Sequence, residues 1–338
     1  MDLNKVKQFL EEQNFPNFRL NQIREAFFIQ SLGGFEQITN IPQDLRNNLK
    51  EKFSWLLVKE TKTQGSVKAE VAKSLLKLED KQKIESVLMI YRDWISACLS
   101  VMVGCPLGCT FCATGQMGFK RNLTAFEIID QIVYWNEFLK SHKIHESYKS
   151  QVTRVVFMGM GEPFLNWENV WEAIKIINAK DGLNIGQRHI TVSTAGIISK
   201  IYEFTDLDTE INLAISLHSP FQGKREEIMP IAKQNPLPDL LKACEYYVSK
   251  TKRKLFFEYA LIKGFNDGEE DVLELKKVLT NKLFHLNLIN LNLTNSCLEP
   301  SKNMEGFVKM LEKYNLAYTI RRSLGSEIKS ACGQLAAK

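Results

Sequence analysis

The chain has 338 residues, which at roughly 150 per domain implies about two domains. Its composition, 44% hydrophobic and 25% charged with 18 Gly and 9 Pro, excludes collagen-like, low-complexity and wholly disordered classes. The 44 Lys+Arg against 39 Asp+Glu leave a net charge of +5, a mildly basic balance that permits nucleic acid without requiring it. No apolar run approaches the roughly 18 residues of a membrane span, and the start MDLNKVKQFLEEQ is too charged for a secretory signal. The expected location is the cytoplasm, with no membrane partner.

Residues 1–54 read as short helices, because VKQFL, FRLNQIREAFF and IPQDLRNNLKEKF carry apolar residues at helical spacing and Pro42 is placed to open the third. Over 55–97 the texture changes to LLVKETKTQ, KSLLKLED and KIESVLMIY, with Asp80-Lys81 as a turn, which predicts a β-hairpin linker. Residues 98–338 form the largest unit. Thr124 and Glu127 make a capping box that opens the helix FEIIDQIVYWNEFL. Strand RVVFM at 154–158, helix NVWEAIKII, strand HITVST, a short helix from Ile197, strand INLAISL, helix LPDLLKACEYYV, strand KLFFEYAL, helix EEDVLELKKVL and strand HLNLINLNL follow. Such alternation predicts an α/β fold whose parallel sheet is open or closed into a full or partial barrel, with ligands at the C-terminal strand ends.

Seven cysteines in a long chain with nothing directing export do not suggest a disulfide framework. Cys105, Cys109 and Cys112 form C-x3-C-x2-C in GCPLGCTFCATG, three thiolates on one short loop able to face one point. Soft sulfur selects zinc or iron–sulfur centres. A structural zinc wants four ligands, and no fourth stands at ribbon spacing. A 4Fe-4S cluster on three cysteines leaves one iron open for a substrate. Zinc completed by the distant Cys98 or His142, or three unrelated buried thiols, would fit the same residues.

With an aromatic before its last Cys and a place at the head of a βα array, this motif resembles the radical S-adenosylmethionine (SAM) superfamily. That resemblance implies a partial (β/α)6 barrel, with the 1–54 helices as an accessory RNA-binding domain and 55–97 as the linker. It also implies SAM chelated to the open iron and cleaved by one electron to a 5'-deoxyadenosyl radical. CATGQMGFKRNLT at 112–124, GMGEP at 159–163, SLHSP at 216–220 and ACGQL at 331–335 resemble one branch over nearly the whole chain, the RlmN/Cfr family of RNA adenine methyltransferases. The resemblance assigns SAM contacts to Gly161, Glu162, Ser193, Ser216, Leu217, His218 and Asn292, all at or just past predicted strand ends. Ser193 would otherwise read as a strand-end hydroxyl bonded to backbone and His218 as a structural histidine.

Ordinary SN2 transfer fails at an adenine ring carbon such as C2, so the methyl group must first reside on a nucleophile. The resemblance makes Cys332 that S-methylcysteine and Cys98 the thiol that resolves the protein–RNA adduct, the pair ending as a disulfide. Two SAM are used per turnover, and Glu85 is the implied proton acceptor. Cys244 fits the apolar face of its helix; Cys297 has no assignment. The implied substrates are 23S rRNA and tRNA. The implied electron donor is a flavodoxin or ferredoxin, and the expected state is a monomer.

The basic clusters FKR at 119–121, KTKRK at 250–254 and Arg321-Arg322 are the candidate phosphate contacts, Lys120 and Arg121 foremost because they follow the cysteine loop. Pro163 and GQMGFKRNLT resemble the C2 branch more than the C8 branch. Val101, Met102 and Leu324 depart from both, near the expected RNA-facing pocket.

Overall fold

The computed structural model describes residues 1–66, 69–142, 151–294, 296–321 and 325–337. Its N-terminal part folds into α1 (Leu3–Glu12), α2 (Phe18–Arg24) and α3 (Gln43–Lys52), with a π-helical turn at Glu25–Ile29. Asp2 caps α1 by accepting from Asn4 N at 3.1 Å and Lys5 N at 3.2 Å. Pro42 immediately precedes α3 as the sequence predicts.

The predicted hairpin linker is a three-stranded antiparallel meander of β1 (Val58–Ser66), β2 (Val71–Leu78) and β3 (Lys83–Ile90). Between the last two, Lys81 adopts φ 68° and Gln82 N donates to Asp80 at 3.0 Å. The meander continues into the main sheet, because β3 pairs antiparallel with β4 (Ile95–Cys98) and sets Val87 opposite Cys98.

After β4, the hairpin β5 (Met102–Gly104) and β6 (Phe119–Asn122) carries the cysteine loop and the short α4 (Ala113–Gln116). The Thr124–Glu127 capping box opens α5 (Ala125–Ser141). Then come β7 (Arg154–Phe157), α6 (Trp167–Asn178), β8 (Ile190–Thr194), α7 (Ile198–Asp206), β9 (Asn212–Ser216), α8 (Gln222–Ile228), α9 (Leu237–Thr251), β10 (Leu255–Leu261), α10 (Glu269–Val278), β11 (Phe284–Asn290), α11 (Met304–Lys313) and β12 (Tyr318–Arg321). The sheet runs β1-β2-β3-β4-β7-β8-β9-β10-β11-β12 and is parallel from β4 onward, a partial barrel with open edges at β1 and β12. Leu213, Ala214 and Ile215 of β9 are all buried, as expected of a strand covered on both faces. Sequence reading passed over α8, α11 and β12: QGKREEI shows no apolar period, and YTIR is four residues long.

The N-terminal helices seat on α5. The Met1 amine donates to both oxygens of buried Asp130 at 2.8 and 2.6 Å, and Trp55 Nε1 donates to Glu137 at 3.1 Å. Among the described residues no helix is long and apolar enough to cross a membrane.

Candidate active site

The cysteine loop is tied at its base, where Cys105 N donates to the Gly118 carbonyl at 3.1 Å. Gly104 sits at φ 75°, and a Cβ there would lie 1.8 Å from that carbonyl oxygen, so only glycine fits. Within the loop, Cys112 N donates to Cys109 O at 3.1 Å and Thr110 N to Ile228 O at 3.0 Å. Cys105, Cys109 and Cys112 consequently line one cavity over the C-terminal ends of the parallel strands.

The strand ends complete that cavity with Gly161, Glu162, Ser193, Ser216, His218 and Asn292, six of the seven expected SAM contacts. The seventh, Leu217, is fully buried; its carbonyl accepts from Arg225 Nε at 3.0 Å. Gly161 adopts φ 101°, and a Cβ there would meet the Met102 side chain at 2.6 Å. Val101 and Met102 are both buried, and Met102 packs beneath the GMGEP turn. Leu324 and Arg322 lie outside the described residues.

Glu162 is buried. Its carboxylate accepts from Phe164 N at 3.1 Å and Ala195 N at 2.8 Å, while burial pushes it up to about 7. His218 Nδ1 accepts from Ala260 N at 3.0 Å, which places the proton of the neutral ring on Nε2. Burial holds the ring neutral, down to about 3, and its edge meets Phe111 of the cysteine loop with centroids 4.7 Å apart. It is both a satisfied histidine and a cavity wall.

Three thiols within electrostatic reach of one another on one cavity wall suit an iron–sulfur cluster. Burial pushes Cys105 up to about 12 and Cys109 well above its ordinary range, a cost that binding to iron relieves. Among the described residues no group of three or more His, Cys, Asp or Glu side chains is already gathered as a metal site. Neither Cys98 nor His142 lines this cavity; His142 stacks on Phe138 at 4.0 Å.

A second cavity runs along the inner face of the barrel. It takes every second residue along β4 and β7: Trp94, Ser96 and Cys98 in and before β4, and Arg154, Val156 and Met158 in and after β7. Cys332 lines both cavities, together with Met158, Ile289 and Arg321. All seven cysteines are free, so the disulfide expected between Cys98 and Cys332 is not formed. Cys98 is buried and its thiol is pushed up to about 12; Cys332 is open to solvent on one side, and the protein packed around its other sides raises its thiol, an effect Arg321 partly offsets.

Glu85 lines neither cavity. It faces a third one, buried, with its carboxylate engaged by Lys73 at 2.7 Å and by Ala336 N at 2.6 Å. Cys244 is buried on α9 as expected, and Cys297 is exposed. Some members of the basic clusters are paired within the fold: Arg121 makes two 2.8 Å bonds to Glu127 and one of 2.7 Å to Asp80, and Lys250 pairs with Asp206, while Lys120 is exposed.

Sequence reading missed Glu258 and Arg321 as cavity residues. Arg321 Nη1 donates to both Glu258 oxygens at 3.1 Å, and Asn287 donates to Glu258 at 2.9 Å. A carboxylate within the apolar run LFFEYAL was the available signal.

A family model described as the radical SAM superfamily matches residues 99–275. The probable dual-specificity RNA methyltransferase RlmN of Dictyoglomus thermophilum is 42% identical over 339 residues, covering 99% of this chain and 95% of that protein. The protein of the same description from Bacillus subtilis is 42% identical, with coverage of 100% and 92%. Among solved structures, a radical SAM methyltransferase from Sphaerobacter thermophilus matches with a TM-score of 0.92 at 35% identity, covering 100% of this chain and 98% of that one.

Proposed function

The chain belongs to the RlmN family of radical SAM RNA methyltransferases, and on that premise we propose that it methylates C2 of an adenine in 23S rRNA and tRNA through Cys332. The observation that carries this reading is the position of Cys332 in the wall shared by two cavities. One holds the three-cysteine loop and the strand ends, the other Cys98.

Cys105, Cys109 and Cys112 would hold the 4Fe-4S cluster, and Glu162, Ser193, Ser216 and the His218 Nε2–H would bind SAM. When bound, this pair supplies the methyl carbon and a radical. Cys332 stores the carbon as a thioether on the boundary between cofactor and base. Cys98, on the inner cavity alone, is the thiol that frees the base.

The inner cavity also suits a splayed nucleotide. At its far end the Arg154 guanidinium lies 4.1 Å over the Trp94 ring, with Tyr91 beside it at 5.1 Å, an aromatic and cationic lining of the kind that stacks an unpaired base. Residues 1–54 act as a docking module for the RNA.

The test is RNA from a methylation-deficient host expressing the chain, digested and chromatographed. The expected product is 2-methyladenosine; 8-methyladenosine alone would overturn the C2 assignment. Cys98→Ala should accumulate a covalent protein–RNA adduct, and freely released methylated RNA from that variant would remove Cys98 from the reaction.

A further inference from the structure

The segment that carries Cys332 belongs to no helix or strand longer than one turn, yet its backbone must hold a thiol at the junction of two cavities. Its hydrogen bonds come from two sides. On the cofactor side, Ala113 N donates to Gly333 O at 2.7 Å, Thr114 Oγ1 to Leu335 O at 2.6 Å, and Asn292 Nδ2 to Cys332 O at 3.0 Å.

On the opposite side stands one buried ion pair. Lys73 Nζ lies 2.7 Å from Glu85 Oε1, with the two side chains 9% and 5% exposed. Each partner also binds the tail. Lys73 Nζ donates to Lys329 O at 3.0 Å, three residues before Cys332. Glu85 Oε2 accepts from Ala336 N at 2.6 Å and Ala337 N at 3.2 Å, four and five residues after it. The pair grips the segment on both flanks of the cysteine while touching neither cavity that contains it.

We propose that Lys73 and Glu85 form a latch that positions Cys332, holding the C-terminal segment against the β2–β3 pair so that its thiol stays in the wall between the cofactor and base cavities. Lys73 and Glu85 are thus positioning residues. The latch gives the meander a role at the active site, because its second and third strands present one cation and one anion side by side, and the tail's backbone dipoles satisfy both. A buried pair of this kind is costly to leave half-made, so losing either member frees the tail. The role given to Cys332 rests on the reading above; the grip on the tail does not.

The test uses the reconstituted full chain as Lys73→Met, Glu85→Gln and Lys73→Arg, each checked for folding by thermal melting. Amide exchange over 329–337 and the S-methylated fraction of Cys332 are read by mass spectrometry, with iron content alongside. Lys73→Met and Glu85→Gln are expected to speed exchange at Ala336 and Ala337 by about tenfold or more. Both should lower Cys332 methylation at unchanged iron, and lower kcat with KM for RNA near its original value; Lys73→Arg should restore protection and methylation. Wild-type exchange in both disrupted variants would overturn the latch. So would a Glu85→Gln protein with a protected, fully methylated tail that stalls as an RNA adduct, since Glu85 would then act as a proton acceptor alone. Faster tail exchange in a protein whose Cys332 is never methylated, even as wild type, would support the grip and sink the methyl-transfer reading instead.

Discussion

Asn292 donates a 3.0 Å hydrogen bond through Nδ2 to the carbonyl of Cys332, so the end of β11 is fastened to the thiol-bearing segment. Asn292 also lines the cofactor cavity, and the two roles are compatible because the fastening uses its amide nitrogen and leaves its oxygen for a ligand. The residue expected as a SAM contact is also a strut for the methyl acceptor.

Asn292→Ala should therefore lower the S-methylated fraction of Cys332 while leaving iron content intact. A carbonyl stripped of its donor costs about 1–3 kcal/mol, on the order of tenfold or more in the population of the docked segment. Intact-protein mass spectrometry after expression with ample SAM measures it. Undiminished methylation would show that the contacts from Ala113 and Thr114 hold the segment without Asn292.

Arg321 faces Cys332 and Cys98 at the junction of the cavities and pulls both thiols down against the burial that raises them. At Cys332 the guanidinium is the largest influence opposing burial and outweighs the Glu258 carboxylate, which raises the thiol, so removing both should still lower the thiolate fraction at a fixed pH. Arg321→Met would strand the buried Glu258, and the cleaner variant is Arg321→Met with Glu258→Gln. Its Cys332 should be alkylated by iodoacetamide more slowly than in the wild type at pH 8. Faster alkylation would mean that Arg321 acts by shielding the thiol and not by charge.

The sequence made the cofactor cavity legible because its residues sit in short, chemically loaded runs: the cysteine loop, GMGEP, SLHSP. Each run falls at a strand end, where the period-2 and period-3.6 patterns meet and the boundary is easy to place. The inner cavity was not legible. Its lining is every second residue of several strands; Trp94 and Arg154 meet only once β4 pairs with β7, and Arg321 joins the same lining from β12. Glu85 shows the same limit from the other direction. Its spacing from Cys98 matches the family's proton acceptor, while its actual partners, Lys73 and the tail amides, are 12 residues and 251 or more residues distant. The charge runs hid a simpler fact, that Arg121 is paired with Glu127 and Asp80 within the fold.

Arg225 carries a prediction about stability. It is wholly buried without a carboxylate partner. Its Nε donates to Leu217 O at 3.0 Å, and Nη2 donates to Ala195 O and Ser216 O at 3.2 Å each. It thereby ties the C-terminal ends of β8 and β9 together behind the cofactor cavity. Arg225→Met fills the space but strips this donor from three carbonyls, of which Leu217 O keeps its bond from Ser219 N at 2.7 Å, at a cost of about 2–4 kcal/mol in unfolding free energy. Urea denaturation should show it, together with weaker SAM binding by the folded variant. A loss below about 1 kcal/mol would mean that water replaces the guanidinium there.

The docking of the N-terminal helices should depend on pH through Glu137. Burial raises its carboxyl from an ordinary value of 4.5 to about 7, and the bond from Trp55 offsets only part of this. A carboxyl whose folded value lies above its unfolded one is a group that folding prefers protonated. Its favourable contribution is fully present below about pH 4.5 and is lost as pH rises through about 7. Glu137→Gln keeps an oxygen to accept from Trp55 Nε1 and removes the titration. The melting temperature of the wild type should accordingly fall relative to that of Glu137→Gln between pH 5 and pH 8. The side chain is partly solvated, so the sign of that difference is the criterion. A wild type that gains on the variant across the same range would place the Glu137 carboxylate in a site that stabilises its charge, contrary to the burial seen here.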